Sequence, residues 1–102
     1  MAFKNGMRPV HPGEVLREEY LRPLDMSGNA LAKRLGIPTS RLNDIVLERR
    51  GVSPDTAMRL ARCFGGDARS WLNLQTARDL RLAEIEKAKE IERTVEPFRE
   101  SA

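Results

Sequence analysis

Apolar residues recur along the chain at three- and four-residue spacing, in short bursts punctuated by glycine and proline, and no stretch alternates as a strand would. After His11-Pro12-Gly13-Glu14, where a proline and an acid suit a first helical turn, Val15, Leu16 and Leu21 predict a helix that ends before Pro23. Ser27 suits the cap of a short second helix with Ala30, Leu31 and Leu35 on its apolar side, and Gly36 stops it. Pro38 opens a third, whose narrow apolar stripe is Leu42, Ile45 and Val46 and which Gly51 closes. Ser53-Pro54-Asp55 combines a cap, a first-position proline and an acid at the positive helix end, so a fourth helix runs from there to about Phe64. Gly65-Gly66 breaks the chain, and Asp67 caps a fifth helix carrying Trp71, Leu72, Leu74, Ala77 and Leu80.

The fold class that follows is all-α, with five helices in one domain over residues 11–81. Residues 1–10 read as a flexible N-terminal arm. From residue 82 the pattern keeps helical propensity, but Glu84, Glu86, Glu90 and Glu92 alternate with Lys87, Lys89 and Arg93, and only Leu82, Ile85 and Ile91 are large and apolar. Residues 82–102 are therefore expected as a charged helical extension that Pro97 ends and that frays over 98–102.

Composition narrows the function. The 102 residues are 40% hydrophobic and 5% aromatic, enough for one lean core and too little for two catalytic domains. Cys63 is the single cysteine and His11 the single histidine, so neither a disulfide framework nor a zinc cluster is expected, and no cofactor. His11 has no nucleophile or partnered carboxylate at a supporting spacing, which argues against an enzyme and for a role in starting the first helix. Cys63 and Met58 need no reactive role. No uncharged stretch approaches a membrane span and no signal-peptide pattern opens the chain, so a cytoplasmic protein without membrane contact is expected.

The formal charge is +3, and residues 27–50 alone account for it: Lys33, Arg34, Arg41, Arg49 and Arg50 against Asp44 and Glu48. The other stretches are nearly balanced. A local surplus of this kind suits a polyanion, although a solvated helix face would carry one too. In the same stretch, two helices joined by Gly36-Ile37-Pro38 have the spacing of a helix-turn-helix, with the small Ala32 where they cross. At 100° per residue, Leu42, Ile45 and Val46 fall on one side of the third helix, Ser40, Asn43, Asp44 and Leu47 on the other, with Thr39 and Arg41 flanking. Thr39, Ser40 and Asn43 can exchange hydrogen bonds with base edges, Asn43 particularly with adenine. Arg41 can pair with guanine or a phosphate, and Asp44 suits a cytosine amino group or a neighbouring arginine. Arg49, Arg50 and the amides around Ser27 and Gly28 are expected on phosphates.

Ser27 to Pro38 resembles the Xre/Cro-type, lambda-repressor-like helix-turn-helix of phage and bacterial regulators. The stretch Ser53 to Arg62, Phe64-Gly65, Trp71-Leu72-Asn73-Leu74-Gln75 and Asp79-Leu80, together with His11-Pro12-Gly13-Glu14, is similar to the HigA family of antitoxins from type II addiction modules. The resemblance covers about residues 11–81. It implies a repressor of its own operon that also binds and silences a RelE-like messenger-RNA endonuclease toxin. Two departures stand out: Gly28 replaces a glutamine common in Xre relatives, and Leu47 to Gly51 replaces an Asn-Gly turn.

A monomer of this size offers one recognition helix, so a homodimer on double-stranded operator DNA is expected, with Phe64, Trp71 and Leu74 at the dimer contact or in the core beneath it. Two other functions share most of these features: a stand-alone Xre-type regulator without a toxin, and a small helical protein-interaction module.

Overall fold

The computed structural model describes residues 10–99. Most of the arm expected over 1–10 and the last residues of the frayed end lie outside that range. Helix α1 (Pro12–Val15) passes without a break into a π-helical segment (Leu16–Leu21), followed by α2 (Gly28–Leu35), α3 (Thr39–Val46), α4 (Pro54–Phe64) and α5 (Ala68–Thr94).

The start signals act as their chemistry dictates. The hydroxyls of Ser27 and Ser53 and the carboxylate of Asp67 each accept the backbone N–H three residues on, at 3.1, 3.2 and 2.8 Å. Gly36 ends α2 in the left-handed conformation, φ 72°, which glycine adopts without steric cost.

Two elements differ from the sequence expectation. The first helix widens after Val15, and the Arg22 N–H reaches back five residues to the Arg17 carbonyl. Leu16 and Leu21 are both buried; five residues apart, they would point about 140° away from each other on an ordinary α-helix. The wider turn brings both to the core. Helix α3 stops at Val46, well before Gly51, because Glu48 takes the left-handed conformation at φ 64°.

Gly51 serves a different purpose. A Cβ on it would overlap the Gln75 side chain of α5, whose Oε1 accepts from the Val52 N–H and whose Nε2 donates to the Val52 carbonyl at 3.0 Å. One side-chain amide thus satisfies both polar groups of a backbone position whose side chain is buried, which ties the α3–α4 connection to α5.

Leu16, Leu31, Leu42, Ile45 and Leu60 form the fully buried centre, each contributing about 1.5–3 kcal/mol by leaving water. α2 packs on α3 and α4, α1 on α3 and α5, and α4 on α5. Only Trp71 of α5 is buried. Beyond Leu82 every described residue is exposed, so the helix leaves the core as an arm and the molecule extends over 60 × 25 × 24 Å. Among the described residues no helix is long and apolar enough to cross a membrane, and no cluster of side chains could hold a metal ion.

Candidate nucleic-acid interface

The N-terminus of α2 and the outer face of α3 adjoin. Ser27 takes the Ala30 amide, which leaves the first amides of α2, those of Gly28 and Asn29, outside the helix's own bonding. α3 exposes Thr39, Ser40 and Asn43 and buries Leu42 and Ile45. The two helices meet at Gly28: a Cβ there would lie 2.7 Å from Asn43 Oδ1 and 3.9 Å from Leu42 Cδ2. Ser27 and Gly28 therefore sit beside Asn43, with Thr39 and Ser40 on the preceding turn of α3.

The charged residues are arranged differently. Arg41 leans towards α4, 3.7 Å from the Asp55 carboxylate. Asp44 and Arg49 pair at 3.7 Å, and Glu48 pairs with Arg17 at 3.3 Å. Lys33, Arg34 and Arg50 remain exposed without an ion pair among the described residues. Arg34 shares a groove with Met58 and Arg62, so the positive surplus of residues 27–50 is spread over more than one face.

An eight-residue helix such as α3 is marginal alone, so neighbours must fix its position. Buried Gly13 lies so close to the end of α3 that a Cβ would overlap the Ile45 carbonyl oxygen. Four residues on, the Arg17 guanidinium donates to the Val46 carbonyl at 2.6 Å and to Glu48 at 3.3 Å. Arg59 does the same for α2, donating to the Leu35 carbonyl at 2.8 Å and the Gly36 carbonyl at 3.4 Å while held by Asp55 at 2.9 Å. Carbonyls of a last turn lack partners within the helix, and a cation suits its negative end.

Sequence reasoning missed all three positioning residues. Arg17 and Arg59 lie 29 and 24 residues from the carbonyls they hold, and no local pattern announces such pairs. Gly13 did carry a signal: glycine inside a helical turn is unfavourable unless something approaches closely.

His11 precedes Gly13 and Arg17, which together latch the first helix onto the end of α3. Its Nδ1 accepts from the Gly13 N–H at 2.8 Å, capping α1 with a neutral ring. Burial holds the imidazole below its ordinary value, reinforced by Arg78 of α5 and Arg17 and opposed by Glu48 and Asp79. A depressed histidine binds its proton more readily in the unfolded chain, so its contribution to stability is complete above about pH 6.5 and is lost as the pH falls from there towards the folded-state value. Denaturation midpoints should drop between pH 7 and pH 5.5 in the wild type. They should drop less in His11→Asn, which keeps an acceptor at the cap; equal slopes would remove His11 from the latch.

Of the residues expected at a dimer contact, Trp71 is 7% exposed within the single chain. Its ring lies 5.8 Å from Tyr20, which also stacks on half-buried Phe64 at 4.4 Å. Leu74 is half-buried and lines, with Tyr20, Trp71 and the Gly65-Gly66 turn, an open groove of about 600 Å³.

The helix-turn-helix family profile matches residues 16–71. Virulence-associated protein I of Dichelobacter nodosus is 60% identical over 86 residues, which are 84% of this chain and 80% of that protein. Antitoxin HigA-1 of Vibrio cholerae is 34% identical over 77 residues, 76% of this chain and 72% of its own. Among solved structures, antitoxin GraA superposes with a TM-score of 0.88 at 49% identity, over 91% of this chain and all of its own. The Pseudomonas aeruginosa antitoxin HigA, solved with the higBA promoter, gives 0.85 at 46% identity over 90% of this chain and all of its own. In sequence, in fold and in the helices that frame its exposed polar face, the chain belongs to the HigA family of helix-turn-helix antitoxins.

Proposed function

We propose that this protein is a sequence-specific repressor that binds operator DNA as a homodimer and acts as the antitoxin of a RelE-like messenger-RNA endonuclease. The observation that carries the DNA half is the exposed row of Thr39, Ser40 and Asn43 on a helix latched at its far end and flanked by the free amides of α2. The relative solved on its promoter supports the same use of the fold. α3 enters the major groove, and a dimer presents two such helices to half-sites about 34–36 Å apart. Thr39, Ser40 and Asn43 read bases. Ser27, Gly28, Arg49 and Arg50 meet phosphates, Arg49 exchanging Asp44 for the backbone as it does so. Arg41 and Asp44 flank the contact, where Arg41 can leave Asp55 for a phosphate.

The toxin half rests on the family. It is tested by capture of the small protein encoded beside this chain and by relief of that protein's RNA cleavage; a lone gene without such a neighbour would leave a stand-alone regulator.

Footprinting and electrophoretic shift on the upstream DNA test the repressor. Asn43→Ala should cost about 1–3 kcal/mol at one base position and relax preference there, whereas Arg50→Ala should weaken all sequences alike and flatten the salt dependence. Equal loss of preference from both would count against these roles, and no shift at all would leave a protein-interaction module.

A further inference from the structure

We infer that Gly28 sets the base preference of Asn43, acting through the side chain it lacks. This rests on α3 being the base-reading helix. The Oδ1 of Asn43 lies where a side chain on residue 28 would begin, 2.7 Å from the position of its Cβ. That place is the first turn of α2, whose positive end favours an acceptor.

An asparagine that reads adenine uses both ends of its carboxamide, the oxygen for the N6 amino group and the nitrogen for N7. With its oxygen turned back towards α2, Asn43 offers the base a donor alone. A lone amino group finds an acceptor on adenine N7 or thymine O4 as well, but only guanine offers it two, N7 and O6, so the two-point contact that singles out adenine is lost and guanine gains by comparison. A side chain at residue 28 would push the oxygen out and let the carboxamide turn, restoring the two-point contact that prefers adenine. Gly28 is thus a positioning residue for specificity, distinct from any phosphate contact by its amide.

The backbone does not demand glycine here. Gly28 is the first residue of α2 and its φ lies outside the left-handed region, so alanine fits the helix. The neighbour it would meet is a flexible side-chain end.

The test measures affinity for the footprinted operator with each base pair changed in turn to the other three. Four proteins are compared: wild type, Asn43→Ala, Gly28→Ala and the double variant, each with helical content checked by circular dichroism. Gly28→Ala should shift preference towards adenine about five- to tenfold at the same base pair where Asn43→Ala flattens it. The double variant should match Asn43→Ala there. Gly28→Ser, with the same Cβ, should repeat the shift.

A Gly28→Ala protein that keeps the wild-type preference overturns the inference, as does one that changes it equally with and without Asn43, or one that weakens every sequence alike. A wild type without base preference anywhere is a separate result, which overturns the reading of α3 itself.

Discussion

Gly13→Ala should destabilise the fold by about 3 kcal/mol and abolish operator binding, although it adds one methyl group at a position that touches no DNA. The added Cβ would overlap the Ile45 carbonyl oxygen. A backbone atom in the last turn of α3 cannot rotate aside as a side chain does, so α1 or α3 must move. Either movement strains the Arg17 contact with the Val46 carbonyl and displaces Thr39, Ser40 and Asn43 relative to α2. A misplacement of about 1 Å is enough to break hydrogen bonds to base edges, whose distances vary by only a few tenths of an ångström. Urea denaturation and a shift assay on the same preparation give both readouts. An unchanged midpoint would mean that the first helix does not bear on the end of α3.

Trp71→Ala should cost about 3–5 kcal/mol, a large share of the stability of a domain this small. The indole is the only buried side chain of α5, and Tyr20 and Phe64 stack in the same cluster. Its removal opens a cavity at the joint that holds the long helix to the rest. Leu74→Glu tests a different thing, because Leu74 is half-buried beside an open groove. Analytical ultracentrifugation of that variant should show monomers with helical content retained, while Trp71→Ala should lose its cooperative melt. A folded, monomeric Trp71→Ala protein would place the indole at the subunit contact.

Much of this architecture is legible in the sequence because its causes are local. Ser27, Ser53 and Asp67 cap amides three residues away, and Gly36 turns the chain where only glycine turns cheaply. The exposed face of α3 follows from helical period, since Leu42 and Ile45 had to be buried. What was not legible depends on residues far apart in the chain. Gly51 looks like a helix stop and is instead the approach for Gln75. Glu48 looks like an ordinary helical residue and takes the left-handed turn, with Arg17 on its carboxylate. The widened turn after Val15 answers to where the core lies, which no spacing rule contains. In the same way Arg41 and Arg49 count as free cations in a charge sum, while in the fold each faces a carboxylate.

Helix α5 runs unbroken from Ala68 to Thr94, so the arm and the folded domain share one helical phase. Each residue advances the arm by about 1.5 Å and turns it by about 100°. Ile85, two heptads beyond Trp71, therefore sits within about 40° of the side that the indole anchors, and the core sets the azimuth of everything distal to it. A single residue inserted between Leu74 and Leu82 would swing Leu82, Ile85 and Ile91 by about 100° without changing any of them. Any molecule that holds both the arm and the DNA-facing helices must then match an angle as well as a surface, and the length of α5 acts as a protractor as much as a ruler.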